Sequence, residues 1–130
     1  FAGLPIAGSD TGDYLVRNLV GIDPSNRLIA IGELLQPGAS VMFCRRDTKT
    51  AREDMTRMLE SIRKGMYARP RGGVYYSCIG RGASLFGPDS NELKMIRDAL
   101  GEFPLVGFFC NGEISHNRLY GYTGVLTLFV

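Results

Sequence analysis

The spacing of apolar and polar positions changes along the 130 residues, and each change marks a new element. Tyr14 to Ile22 (Tyr-Leu-Val-Arg-Asn-Leu-Val-Gly-Ile) has the branched and aromatic content of a strand, and Asp23-Pro24-Ser25-Asn26 closes it as a turn. Leu28–Ile31 predicts a second short strand and Val41–Arg45 a third, with Pro37-Gly38 suited to the centre of a type II turn between them. Three such strands in succession predict an antiparallel meander. From Ala51 the period lengthens: Ala51, Met55, Met58, Leu59, Ile62 and Met66 recur at spacings of three and four, which makes one apolar helix face. Thr50 with Glu53 fits a capping box, Glu53–Arg57 and Glu60–Lys64 are favourable i,i+4 pairs, and Gly65 is placed to stop the helix. The methionines are expected to fill a core facing a sheet, with a partner or cofactor surface as the alternative.

After a Pro/Gly/Arg loop at Arg69–Gly73, Val74–Ile79 predicts a buried strand. A second helix follows, with Asp89 and Glu92 as its capping box, Leu93, Ile96 and Leu100 as its apolar stripe and Gly101 as its stop. Leu105–Cys110 is a nearly continuous apolar strand, and Leu119–Tyr122 with Val125–Val130 predicts a closing hairpin. The order βββ-α-β-α-β-ββ predicts an α+β fold, a mixed β-sheet with two helices packed on it. The two strand–helix–strand units are expected to be right-handed parallel crossovers. No internal repeat is visible.

Composition narrows the class. Hydrophobic residues at 45% and charged residues at 22% exclude a disordered or collagen-like chain. The length suits one domain, expected at 13–130 behind a flexible Gly-rich lead-in at 1–12, with a core that needs neither disulfides nor metal. A net charge of +2 is too mild to indicate nucleic acid, and Asp and Glu interleave with the arginines of the first helix, so no nucleic-acid partner is expected. A basic segment leading into an apolar run is absent, and no apolar run approaches the roughly 18 residues of a membrane span. Neither secretion nor a membrane partner is expected. Because the chain opens at Phe1 without an initiator Met, it reads as a piece of a longer protein. Cys44, Cys78 and Cys110 are odd in number and widely spaced, which fits a reducing, cytoplasmic setting rather than a disulfide framework. Glycine, at 17 of 130, is about twice its usual share and predicts tight turns and close backbone approaches.

Candidate chemistry gathers at one place. If strands 74–79 and 105–110 are parallel neighbours, the loops Gly80-Arg81-Gly82-Ala83-Ser84 and Asn111–His116 leave the same sheet edge, where ligands of open α/β sheets bind. Arg81, unencumbered between Gly80 and Gly82, suits two-pronged contact with a carboxylate or phosphate. Its loop also leads toward the start of the second helix, where free N–H groups favour an anion. Glu113, after Gly112, brings the opposite charge, so the pair would complement a zwitterion such as an amino acid. The alternative is that Arg81 and Glu113 pair with each other or hold loop carbonyls. Nucleotide motifs fail: Gly80-x-Gly82 lacks the third glycine at the required spacing, and Pro88 stands where a P-loop needs lysine. Cys78 or Cys110 with His116 is the one nucleophile–base combination, and buried cysteines are usually inert. The single histidine excludes a two-histidine metal motif. No catalytic activity, cofactor or metal is expected.

Four stretches together resemble a known family. They are Gly-Asp-Tyr-Leu-Val-Arg-Asn-Leu-Val-Gly-Ile-Asp-Pro at 12–24, Ser77-Cys78-x-Gly80-Arg81 with Phe86-Gly87, Gly107-Phe108-Phe109-x-x-Gly112-Glu113-Ile114, and Gly121-Tyr122-Thr123. In this order and spacing they are similar to the C-terminal FIST domain, from about Asp13 to Phe129. The resemblance implies a sensory, ligand-binding module of signalling proteins, proposed to bind small molecules with amino acids among them, without established catalysis. The positions carried over are Ser77, Cys78, Gly80, Arg81, Phe86, Gly112, Glu113 and Thr123. With Gly82 from the loop reading, the candidate ligand-binding set is Cys78, Gly80, Arg81, Gly82, Gly112, Glu113 and Thr123. The resemblance also implies that a FIST N-terminal domain normally precedes such a domain and is expected to lie outside these residues, so a pocket shared between the halves would be incomplete within them. An interaction module without a small ligand is the alternative reading, and a cysteine-dependent enzyme ranks behind both.

Overall fold

The computed structural model describes residues 1–7 and 14–130. In chain order the strands of the first half are β1 (Ala2–Pro5), β2 (Tyr14–Arg17), β3 (Leu19–Asp23), β4 (Leu28–Ile31) and β5 (Met42–Phe43). Helix α1 (Thr48–Gly65), strand β6 (Gly72–Cys78), the short α2 (Ala83–Phe86) and α3 (Asn91–Leu100) follow. Strands β7 (Leu105–Cys110), β8 (Glu113–Ser115), β9 (Arg118–Tyr120) and β10 (Gly124–Phe129) complete the described chain. Helices and strands mix as expected of an α+β fold, but the strands divide among several sheets.

The central sheet has the order β10-β6-β7, with β10 antiparallel and β7 parallel to β6. Its helix-facing side is the core: Tyr75 of β6, Leu126 and Leu128 of β10 and Leu105 of β7 pack against Met55 and Leu59 of α1 and Ile96 and Leu100 of α3. Met58, Ile62 and Met66 pack partly buried against the same cluster, so the methionine row fills the core as expected. Phe86, fully buried at the end of α2, wedges the loop after β6 into this cluster.

The first half departs from a meander. Strand β1 lies between β2 and β5, both antiparallel to it, whereas β3 and β4 pair as a separate hairpin. The expected lead-in at 1–12 therefore contains a strand, and positions 8–13 lie outside the described residues. The predicted strand 14–22 is cut at Asn18, whose carbonyl accepts from the Gly32 N–H at 2.9 Å while its side chain accepts from the Tyr122 hydroxyl at 2.7 Å. Those partners hold Asn18 out of the ladder, and β3 turns away from β1. The Pro37-Gly38 turn forms as predicted, with Gly38 at φ 85° and the Ala39 N–H donating to Gln36 O at 3.0 Å.

Helix starts also differ from the capping boxes read in the sequence. Asp47 caps α1 by accepting from the Thr50 N–H at 3.1 Å, which puts Thr50 inside the helix. Ser90 precedes α3 in left-handed backbone without a side-chain cap, and Glu92 turns inward instead of capping. Both helices stop where expected, α3 with the Gly101 N–H donating to Arg97 O at 2.8 Å and Gly101 at φ 89°. Only the second strand–helix–strand unit gives a parallel pair, because β5 and β6 belong to different sheets. The predicted closing hairpin is replaced by two separate pairings, β9 with β8 and β10 with β6. Among the described residues no helix is long and apolar enough to cross a membrane.

Candidate functional site

Parallel pairing in register from Gly73–Leu105 to Cys78–Cys110 brings β6 and β7 to the same edge. The two loops singled out in the sequence leave from there. After β6 the chain turns sharply, with the Arg81 N–H donating to Cys78 O at 2.8 Å and the Ser84 hydroxyl donating to Arg81 O at 2.9 Å. Gly82 is required at this turn: its φ is 56°, and a β-carbon there would stand 2.8 Å from the Phe109 ring. The turn sends the Arg81 side chain inward rather than into solvent.

There Arg81 meets Glu92 of α3, its Nε donating to Oε1 at 2.7 Å, with the side chains 13% and 6% exposed. Glu92 also accepts from the Tyr75 hydroxyl at 2.6 Å and the Ser77 hydroxyl at 3.1 Å, so the buried carboxylate has three donors. Burial pushes the Tyr75 phenol well above its ordinary range, which keeps it a donor. The guanidinium lies over the Phe86 ring at 4.8 Å. Its two outer nitrogens are held more loosely, Nη1 to the Tyr122 carbonyl and Nη2 to the Met55 sulfur, both at 3.5 Å. The Nη1 contact is longer than a normal N–H···O bond and the Nη2 partner is a weak thioether acceptor, so the outer edge of the fork keeps donor capacity.

Glu113 opens β8 directly after Gly112, whose φ of 122° re-aims the chain. The carboxylate is buried, with one oxygen accepting from the Cys110 thiol at 3.1 Å and the other accepting a short hydrogen bond from the Thr123 hydroxyl. Arg81 and Glu113 thus have separate partners and do not pair with each other. Both line one cavity of about 470 Å³, together with Thr123 and Tyr75, under a wall formed by Met55 and Met58 of α1. The other predicted positions stand elsewhere. Cys78 and Gly80 border a separate cavity of about 440 Å³, Gly82 faces Phe109 on the far side of the loop, and Gly112 shapes the entry to β8.

His116 sits at the β8–β9 turn, its Nδ1 3.3 Å from the Ser115 hydroxyl, while Cys110 gives its thiol to Glu113. That hydrogen bond, with burial and the carboxylate charge adding to it, pushes the Cys110 thiol up from its ordinary value. Cys110 is therefore expected to react slowly with iodoacetamide at neutral pH. Glu113→Gln, which removes the charge, should speed labelling several-fold, as mass spectrometry of the modified peptide would show.

Glu92, the buried acceptor of Arg81, is the residue that the capping-box reading misplaced. It lies four residues before Ile96 and eight before Leu100, on the apolar stripe of its own helix. A carboxylate on a buried stripe needs a cation, a signal that shows a partner is required without saying which residue supplies it.

The chain matches the family described as the FIST C domain over residues 1–116. It is 41% identical over 123 residues to uncharacterized protein Rv0628c of Mycobacterium tuberculosis (strain ATCC 25618 / H37Rv), covering 92% of this chain and 32% of that protein. It is 36% identical over 129 residues to uncharacterized protein Mb0898c of Mycobacterium bovis, covering 96% of this chain and 33% of that protein. The chain thus spans about a third of the length of these curated relatives. No solved structure matches it.

Proposed function

This chain belongs to the FIST C domain family, sensory domains of signal transduction, and from that premise we propose that it binds a small zwitterion of the amino-acid class between Arg81 and Glu113. One observation carries the reading: two opposite charges, each fixed by its own partners, line the same cavity. The ligand carboxylate would take the outer edge of the Arg81 fork, where Nη1 has a long bond to a carbonyl and Nη2 a weak thioether acceptor. Its ammonium group would take the lone pairs left on Glu113 beyond those engaged by Cys110 and Thr123. Neither anchor has to break an ion pair to accept the ligand, because Arg81 keeps Glu92 through Nε.

Binding without catalysis is part of the proposal, and the protonated Cys110 supports it by serving as a donor to Glu113. In the whole protein a FIST N-terminal domain is the proposed partner. A thermal-shift screen of the twenty amino acids tests the ligand class. A true ligand at a hundredfold excess over Kd stabilises by about 2.7 kcal/mol, a rise of several degrees in Tm. Hits should vanish with Arg81→Ala and Glu113→Ala once both variants are shown to be folded. Unchanged binding by both variants would move the site elsewhere, and twenty flat responses would remove amino acids as the class.

A further inference from the structure

Among the described residues, the helices pack on one face of the central sheet only. Strand alternation and register place Tyr75, Leu105, Leu126 and Leu128 against the helices. They place Val74, Tyr76, Val106, Phe108, Val125 and Phe129 on the opposite face. There Val106 is 67% exposed, Phe108 64% and Phe129 58%, and the Tyr76 and Phe108 rings meet edge to face at 5.0 Å. A parallel pair such as β6–β7 is ordinarily covered on both faces. Strand β7 is also an edge: among the described residues it pairs with β6 alone, which leaves its outer backbone groups open to a further strand.

The total surface gives the same indication. The chain exposes 9109 Å². A compact monomer of 14.3 kDa should expose only about 6,800 Å². An excess on the order of 2,300 Å² on one partner matches one side of a large obligate interface, which buries about 2,000–5,000 Å² over both partners. The β3–β4 hairpin adds Val20, Ile22 and Leu28, each more than 60% exposed.

We propose that in the whole protein the open face of the β10-β6-β7 sheet, with the β7 edge, seats a second layer. The layer would come from polypeptide of the kind that the relatives carry outside the matched third. The match covers 32% of the Mycobacterium tuberculosis relative, so about twice as much chain lies beyond it, enough to bury this area. The layer would present apolar and aromatic side chains to Val106 and Phe108 and lay a strand along β7. The open side of the domain is then an internal boundary of a larger sensor.

Hydrogen–deuterium exchange tests this on the isolated chain and on a chimera in which it replaces the matched segment of Rv0628c. Amides 105–110 should exchange about tenfold or more slowly in the chimera than in the isolated chain. Val106→Asp with Phe108→Asp should lower the Tm of the chimera by several degrees and leave the isolated chain within about a degree or two. Equal exchange in the two proteins would overturn the proposal. So would an isolated chain that is a dimer and becomes monomeric with the double substitution, because the occupant is then a second copy. If the chimera does not fold, intact Rv0628c supplies the test: the strand matching β7 must be protected, and fast exchange there contradicts the proposal.

Discussion

Glu92→Leu is expected to lower the stability of the folded chain by about 3–5 kcal/mol, because it leaves the Arg81 charge buried without its carboxylate. The Tyr75 and Ser77 hydroxyls lose their acceptor in the same step, and each unsatisfied buried donor adds its own desolvation penalty. For a domain of this size the loss should appear as a fall in Tm on the order of 10–20 °C, followed by circular dichroism. Adding Arg81→Leu to Glu92→Leu should recover part of it, since an apolar pair is better tolerated than one orphaned charge. If the double variant were as unstable as the sum of the two single ones, the two residues would not be acting as a pair.

Phe86→Ala should be nearly as damaging. Phe86, the last residue of α2, is fully buried in the core, and removing a buried phenylalanine side chain costs about 3–5 kcal/mol through lost burial and the cavity left behind. It also removes the ring under the Arg81 guanidinium. Stability and site geometry are thus linked at this residue: Phe86→Leu should restore most of the stability without restoring the cation–π contact. Denaturant unfolding of both variants measures the first effect. Ligand titration of Phe86→Leu isolates the second, and weakened binding in that stable variant is the expected result.

The sequence made the local features legible. The three-and-four spacing along α1, the apolar strand β7 and the stop at Gly101 are contiguous patterns that appear where they were read, while β6 begins two residues earlier than read and leaves Ile79 outside it, 69% exposed. Because β6 and β7 are parallel, that reading also located the edge with the Arg81 and Glu113 loops. What could not be read depends on distant partners. Strand β1, Ala-Gly-Leu-Pro, has a glycine and a proline in four residues, and pairing with β2 and β5 makes it a strand. Gly3 fits between the Tyr14 ring and the Cys44 sulfur, where a β-carbon would stand 3.0 and 3.2 Å from them.

Gly121-Tyr122-Thr123-Gly124 resembles a hairpin turn, but Thr123 O accepts from the Cys78 N–H at 2.9 Å, which docks the segment on β6 and starts β10 there. The partner of Arg81 was hidden for the same reason. Glu92 is eleven residues away on α3, whereas Arg81 lies in the loop after β6, and only the packing of α3 on the sheet brings the two together.

Calorimetric titration of an amino-acid ligand into wild type, Arg81→Lys and Glu113→Gln tests the central claim most directly. Both substitutions preserve much of the local shape, and lysine keeps a positive charge for Glu92. The account predicts that Arg81→Lys weakens binding by about tenfold or more through loss of the fork, and that Glu113→Gln does so through loss of the charge facing the ammonium group. Wild-type affinity in both variants, with folding confirmed, would contradict a zwitterion held between Arg81 and Glu113.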